Sequence, residues 1–178
     1  MDRQRIVKLA GFEEDSITNG PGLRFVLFTQ GCPHHCPGCH NPQTHPFQGG
    51  REYTVEQLFR RIVSNPLESG VTFSGGEPFC QADALAELAE KLKERHYEIA
   101  VYTGFTFEYL NESPDDGIRK LLRHIDVLVD GKFILEKRDI LLRFRGSGNQ
   151  RILNVPASLH ANCAVWVDQE EWTGVPAL

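Results

Sequence analysis

The stretch Arg24–Cys39, RFVLFTQGCPHHCPGC, joins an apolar run directly to a loop that contains three cysteines. The first part, Arg24–Gln30, is rich in aromatic and β-branched residues, and this composition predicts a β-strand. Cys32, Cys36 and Cys39 follow it with the spacing CxxxCxxC. In parallel α/β folds, ligands bind at the carboxyl ends of strands, so this stretch predicts a ligand-binding loop on such a sheet.

An alternation of strands and helices continues along the rest of the chain. Further strands are predicted over Val71–Ser74, Glu98–Thr103, Ile125–Asp130, Gln150–Val155 and Ala164–Val167, and helices over Thr54–Asn65, Ala82–His96 and Asp115–His124. This order predicts βαβ units and a parallel sheet. A complete eight-stranded barrel needs about 250 residues, whereas this chain has 178. We therefore expect an α/β fold with a single domain, residues 1–178, that forms an incomplete, open parallel β/α barrel.

The composition is that of an ordinary globular protein, with a formal net charge of −5. This acidic balance gives no sign of a nucleic-acid partner. No apolar run is long enough to cross a bilayer, and the N-terminal stretch lacks the apolar segment of a signal peptide. We therefore expect a cytoplasmic protein without a membrane partner, whose thiols stay reduced. Five cysteines, an odd number, also argue against a disulfide framework.

Four polar, glycine-rich clusters follow predicted strands. They are the cysteine loop, SGGEP (Ser74–Pro78), YTG (Tyr102–Gly104) and DGK (Asp130–Lys132). The carboxyl ends of parallel strands meet at one edge of a sheet, and that edge is where ligands bind. We therefore expect the four clusters to converge on one site.

The three closely spaced cysteines indicate a metal centre, because thiolates select zinc, copper(I) or iron–sulfur clusters. A structural zinc site generally has four protein ligands, so a histidine would have to complete it. The nearby candidates are His34, His35, His40 and His45. A 4Fe–4S cluster held by three cysteines instead leaves one iron open for a ligand that takes part in chemistry. The cysteine spacing by itself leaves both possibilities open.

The motifs together resemble the radical S-adenosylmethionine (SAM) superfamily, which combines CxxxCxxC after an early strand with a GGE motif. The segments Asn19–Phe28 (NGPGLRFVLF), Cys39–His45 (CHNPQTH) and Val71–Phe79 (VTFSGGEPF) resemble activases of glycyl radical enzymes. Phe144–Arg151 (FRGSGNQR) and the short chain resemble the branch that activates anaerobic ribonucleoside-triphosphate reductase. The resemblance extends from about Gly11 to Val155. Gly38 is one departure, because the superfamily often has a bulky residue before the third cysteine, although reductase activases tolerate glycine there.

This resemblance implies an incomplete barrel of the radical SAM type and a radical SAM oxidoreductase. Cys32, Cys36 and Cys39 would be the catalytic residues that ligate the cluster, with SAM on the open iron. One electron from the reduced cluster would cleave SAM to a 5′-deoxyadenosyl radical, which would remove hydrogen from one glycine of the reductase. The implied partners are the glycyl radical subunit of that reductase and a one-electron donor such as flavodoxin or ferredoxin.

The resemblance also implies which positions surround SAM. They are Gly38, Cys39, His40, Asn41, Gly75, Gly76, Glu77, Thr103, Asp130, Gly131 and Lys132. The glycine pair would let the backbone approach the methionine end of SAM, because glycine lacks a Cβ. Glu77 would order that loop and contact the amino group. Asp130 and Lys132, two apart on a strand and on the same side, would lie beside the carboxylate.

Three alternatives remain open at this stage. In the first, the chain activates another glycyl radical enzyme, such as a formate-lyase or a decarboxylase. In the second, the chain is a zinc-binding interaction module. Radical chemistry on a small molecule is disfavoured, because a short chain leaves little material for a closed substrate pocket. Cys80 and Cys163 lie outside the motifs, and we expect them to be buried as small apolar residues.

Overall fold

The computed structural model describes residues 5–174. Residues 1–4, which begin the N-terminal stretch predicted to lack a signal peptide, lie outside the described residues. The described strands are β1 Ile6–Ser16, β2 Arg24–Thr29, β3 Arg51–Thr54, β4 Gly70–Gly75, β5 Glu98–Tyr102, β6 Val127–Asp130 and β7 Arg151–Asn154. The helices are α1 Val55–Val63, α2 Ala82–Lys93, α3 Phe107–Asn111, α4 Asp116–His124, α5 Val155–Ala161 and α6 Glu170–Thr173. None of these helices is long and apolar enough to cross a membrane.

The strands form one open sheet with the order β3-β1-β2-β4-β5-β6-β7. The central strands β2, β4, β5 and β6 are parallel, as predicted. Both edges are antiparallel, with β1 against β2 and β3 at one side and β7 against β6 at the other. The chain is thus α/β, but its sheet is mixed and not wholly parallel. β7 is antiparallel because the loop 131–150 stays at the carboxyl edge, where Arg151 pairs with Asp130.

One face of the sheet carries the larger part of the core. Phe25, Leu27 and Phe73 on the central strands are at most 1% exposed and pack with helices α1, α2 and α4. A capping box begins α1, since Thr54 and Gln57 exchange side-chain and backbone hydrogen bonds. The helices pack on the face of the sheet, and loops occupy the carboxyl edge of the strands.

The opposite face is covered by the C-terminal segment of the described chain. Trp172 and Val167 pack there against Ala100, Val129 and Ile152. Side chains of successive strand residues point to opposite faces of the sheet. The residues that alternate with the helix-facing ones therefore form a separate cluster on this face.

Two local predictions are wrong. Residues 164–167 form no strand. Trp166 makes one isolated bridge to Leu153, and Ser158 accepts the Val165 amide through its hydroxyl oxygen. The prediction that Cys80 and Cys163 are buried is also wrong, because both are exposed. Cys80 lies in a short 3-10 turn and Cys163 follows the left-handed end of α5, so both occupy surface turns.

Candidate functional site

The four clusters converge at the carboxyl edge of β2, β4, β5 and β6, as predicted. They surround a pocket of about 110 Å³. Its lining comprises Cys32, His34, Cys36, Cys39, His45, Ser74, Gly75, Gly76, Tyr102, Thr103, Gly104, Gly131, Phe133 and Gln150. Three thiols and three glycine-bearing turns therefore share one small space.

The cysteine loop is held against the chain that follows it. The Gly31 amide donates to the Thr44 carbonyl at 2.8 Å, and the Cys32 amide donates to the His45 carbonyl at 2.9 Å. Cys32 is buried, whereas Cys36 and Cys39 are half-buried. Burial raises the pKa of the Cys32 thiol, although backbone hydrogen bonds from the following residues oppose the rise. The loop thus presents one sheltered and two more accessible thiols.

Glu77 links three of the four clusters. It is fully buried, and its carboxylate accepts hydrogen bonds from the Thr103 hydroxyl at 2.9 Å and the Gly104 amide at 2.9 Å. His34 Nε2 forms a further hydrogen bond to it at 2.7 Å, and the Phe79 amide donates at 3.1 Å. These four partners offset the cost of burying a carboxylate. Both Glu77 oxygens are engaged within the protein, which suits an ordering role; contact with an amino group of SAM stays a prediction.

The glycine pair after β4 is required by packing of the backbone. A Cβ on Gly75 would lie 2.5 Å from Phe28 Cα, and one on Gly76 would lie 2.4 Å from the Gly31 carbonyl oxygen. Gly75 also has a φ of +89°, which favours glycine. The Gly76 amide donates to the Thr29 carbonyl at 2.8 Å. The pair therefore locks its turn onto the end of β2, directly before the cysteines.

Asp130 and Lys132 are not brought to the same side. Asp130 is 1% exposed and accepts the Phe107 amide at 2.8 Å and Arg151 Nε at 2.9 Å. Lys132 is exposed. The prediction that both side chains lie on one side of a strand is wrong because β6 ends at Asp130 and Gly131 takes a left-handed backbone, with φ +98°. Neither Asp130 nor Lys132 lines the cysteine pocket.

Arg151, at the start of β7, is bound within the protein. It pairs with Asp130 and also bonds Glu108 at 3.0 and 2.8 Å. These two carboxylates raise the pKa of the Arg151 guanidinium. The network fixes α3 to the sheet.

A second hollow of about 350 Å³ adjoins the cysteine pocket. Cys39 lines both spaces, as do Tyr102 and Gln150. His40 and Asn41 line this second hollow and not the cysteine pocket. Burial raises the pKa of the Tyr102 phenol, so it stays neutral near pH 7. The two spaces together can accommodate a metal centre and a larger polar ligand beside it.

Gln150 and His34 are among the pocket-lining residues that were not selected from the sequence as site residues. Gln150 donates to the Gly131 carbonyl at 3.0 Å and accepts the Gly146 amide at 2.9 Å, which joins two parts of the loop 131–150. Gln150 lies within the FRGSGNQR motif, and this membership was the feature of the sequence that could have identified it as a site residue. His34 was considered only as a possible zinc ligand, and its bond to Glu77, 43 positions away, has no signal in the sequence.

The histidines near the cysteines contact other side chains. His34 is bonded to Glu77, His35 and His45 pack ring against ring at 5.2 Å, and His40 packs on Phe133. Over residues 5–174, no group of three or more His, Cys, Asp and Glu side chains is arranged to hold a single metal ion.

Comparison with known families identifies the class of protein. Residues 18–153 match the family model described as a 4Fe-4S single cluster domain. The match spans the cysteine loop and the three other clusters at the sheet edge. The fold and site therefore belong to a protein with one 4Fe–4S cluster domain.

Relatives identify the family within that class. The anaerobic ribonucleoside-triphosphate reductase-activating protein of Vibrio cholerae serotype O1 is 39% identical over 145 residues, which cover 76% of this chain and 90% of that protein. The chain belongs to the family of anaerobic ribonucleoside-triphosphate reductase-activating proteins.

Two further likenesses are more partial. The pyruvate formate-lyase-activating enzyme of Clostridium pasteurianum is 34% identical over 134 residues, covering 71% of this chain and 53% of that enzyme. The crystal structure of QueE from Escherichia coli aligns with 57% of this chain and 54% of its own, with a TM-score of 0.48 and 18% identity.

Proposed function

We propose that this chain is a radical SAM activase that removes a hydrogen atom from one glycine of anaerobic ribonucleoside-triphosphate reductase. The observation that carries the proposal is the pocket at the sheet edge, which three cysteines share with the SGG and YTG turns. Membership of the activating-protein family supports it. In this account the open sheet is the incomplete barrel of the radical SAM type, formed by a single domain that works in the cytoplasm.

The donor set suits a 4Fe–4S cluster with one open iron. Three thiols line one pocket, and thiolate sulfur is the ligand that such clusters take. Cys32, Cys36 and Cys39 would hold three of the irons. When bound, the reduced cluster and SAM together supply a 5′-deoxyadenosyl radical that takes the glycine hydrogen. The protein supplies position and electrostatics for that chemistry.

The neighbouring hollow is the proposed place for the rest of SAM. Gly75 and Gly76 of the SGG turn border the cysteine pocket and present backbone without side chains, so their carbonyls are close to whatever binds there. His40 and Asn41 lie beside Cys39 in the hollow and suit the adenine or ribose side. Lys132 is exposed near the edge and suits the carboxylate. Thr103 acts through Glu77 in this account, because its hydroxyl is bonded to that carboxylate.

Formation of the glycyl radical tests the proposal. The reconstituted chain, SAM and a low-potential donor such as flavodoxin or dithionite are mixed with the reductase without oxygen. We expect a glycyl radical signal in electron paramagnetic resonance, with 5′-deoxyadenosine formed in proportion. The Cys36→Ala variant is the matched negative control. SAM cleavage that never yields a radical on the reductase contradicts the proposed substrate.

A second candidate is activation of a formate-lyase, which the likeness to the Clostridium enzyme favours. The chain covers only 53% of that enzyme, against 90% of the reductase-activating protein. Offering pyruvate formate-lyase and the reductase in parallel separates the two candidates. The account expects the radical on the reductase alone.

A further inference from the structure

The loop between β6 and β7 carries an exposed apolar ridge, residues 140–142. Ile140 is 84% exposed and Leu141 is 87% exposed, although both are large hydrophobic side chains. Trp166, which is 53% exposed, lines the same groove as Leu141. Contiguous apolar surface of this kind on a globular protein commonly marks a binding site for another protein. The ridge does not contribute to the core that the central sheet buries.

The ridge is continuous with the proposed active site. Leu142 and Arg145 line both the groove that contains Trp166 and the hollow that contains Cys39. Leu135, in the same loop, lies against Gly38, where an added Cβ would be 2.8 Å from its Cδ1. A polypeptide that lies along the ridge would therefore lead directly into the space beside the cysteines.

The same loop is basic on an acidic protein. Residues 132–145 carry five basic and two acidic side chains, whereas the whole chain has a net charge of −5. Within the described part of the chain, none of these five cations forms an ion pair with a carboxylate: Lys132, Lys137, Arg138, Arg143 and Arg145. Unpaired cations around an apolar centre complement a partner with acidic side chains beside apolar ones.

We propose that this ridge docks the glycine-bearing segment of the reductase, which binds with apolar side chains on Ile140 and Leu141 and acidic side chains opposite the cations. The inference rests on the function proposed above and adds the surface that the protein substrate uses. An electron donor needs no path into the hollow, whereas the target glycine has to reach it. A symmetric pair of this chain would place two basic loops against each other, which like charges oppose.

Two variants test the surface. The first replaces the ridge, Ile140→Asp with Leu141→Asp, and the second reverses charge, Lys137→Glu with Arg138→Glu. All four side chains are exposed, so neither variant removes a buried contact. Leu67→Asp and Arg95→Glu are the matched controls, because both side chains are exposed at the opposite end of the sheet. The probe is the reductase from the same organism, measured for binding and for glycyl radical yield.

We expect the ridge variant to bind the reductase at least about tenfold more weakly, as for loss of central interface residues. The charge-reversal variant is expected to slow association and to reduce its salt dependence. The cluster signal and its response to SAM stay as in the parent chain for both variants. Radical yield recovers at high reductase concentration, because only docking is impaired.

Several results would overturn the proposal. Binding within twofold of the Leu67→Asp control removes the ridge from the interface. Normal reductase binding with slowed reduction by flavodoxin assigns the surface to the electron donor, and a change only in self-association assigns it to a second copy. If the parent chain forms the glycyl radical while the ridge variants bind normally, the docking surface is wrong and the proposed function stands. If the parent chain forms no radical, the function itself fails.

Discussion

His34 Nε2 lies 2.7 Å from Glu77 Oε2, and this bond ties the cysteine loop to the turn after β4. The His34 side chain is 7% exposed and the Glu77 side chain is 0% exposed. The His34 ring also packs over Gly104, where an added Cβ would lie 2.3 Å from it. The position of the cysteines therefore depends on a contact between side chains that are far apart in sequence.

Replacing His34 is expected to loosen the cysteine loop. His34→Ala removes one of the hydrogen bonds to buried Glu77, whose Oε2 keeps the Gly104 amide, and loss of a hydrogen bond to a charged group costs about 1.5–3 kcal/mol. We expect a lower melting temperature of the apoprotein and less iron and sulfide after reconstitution. His34→Gln, which keeps a donor, is expected to recover part of both. The control is His35→Asn, because His35 is exposed and has a left-handed φ that asparagine tolerates. Equal iron content in all three variants contradicts this role.

Gly76 is expected to tolerate no side chain. Gly76→Ala forces a Cβ against the Gly31 carbonyl oxygen, and such overpacking costs about 1–3 kcal/mol. Gly11→Ala is the matched control, since a Cβ at Gly11 meets nothing within 4 Å. Urea unfolding measures both variants. A Gly76→Ala protein as stable as Gly11→Ala would show that the turn does not pack as described.

Three of the five cysteines are expected to be required for the 4Fe–4S cluster, and the other two are not. Cys32→Ala, Cys36→Ala and Cys39→Ala abolish the 4Fe–4S cluster, because these thiols line the pocket. Cys80→Ala and Cys163→Ala leave it intact, since both are exposed and outside the pocket. Iron and sulfide analysis with absorption spectra measures the difference. Loss of the cluster in either of the last two variants is the contrary result.

Replacing Asp130 is expected to lower the stability of the fold, whereas replacing Lys132 is expected to weaken SAM binding. Asp130→Ala removes a buried partner of Arg151 and of the Phe107 amide, which costs about 3 kcal/mol. Lys132→Ala, at an exposed position, is expected to change stability by less than about 0.5 kcal/mol and to weaken SAM binding. Thermal unfolding and equilibrium SAM binding distinguish the two effects. The reverse pattern contradicts the account.

The central strands and their helices were predictable because their patterns are strong. The apolar run at β2 and the stripe of α1 coincide with buried elements. β1 and β3 were not predicted, since β1 mixes buried and exposed positions and β3 is a four-residue edge strand. The stretch Phe105–Tyr109 alternates like a strand, yet Thr106 caps helix α3 there and the rings of Phe105 and Tyr109 stack at 4.7 Å.

The composition of the site was easier to predict than its contacts. The motifs placed the cysteines and the SGG turn together, because the ends of parallel strands share an edge. The bonds of Glu77 to His34 and Thr103 join positions 43 and 26 residues apart, and no local pattern encodes them. The placement of Asp130 and Lys132 on one side of a strand was wrong because β6 ends at Asp130, where it pairs with Arg151 of β7.

The most direct test of the central claim is electron paramagnetic resonance of the anaerobically reconstituted, reduced protein, recorded with and without SAM. The account predicts the signal of a reduced 4Fe–4S cluster that changes when SAM is added, because SAM binds the iron that the three cysteines leave open. A protein that binds zinc and forms no cluster, or a cluster signal that SAM leaves unchanged, would contradict the radical mechanism.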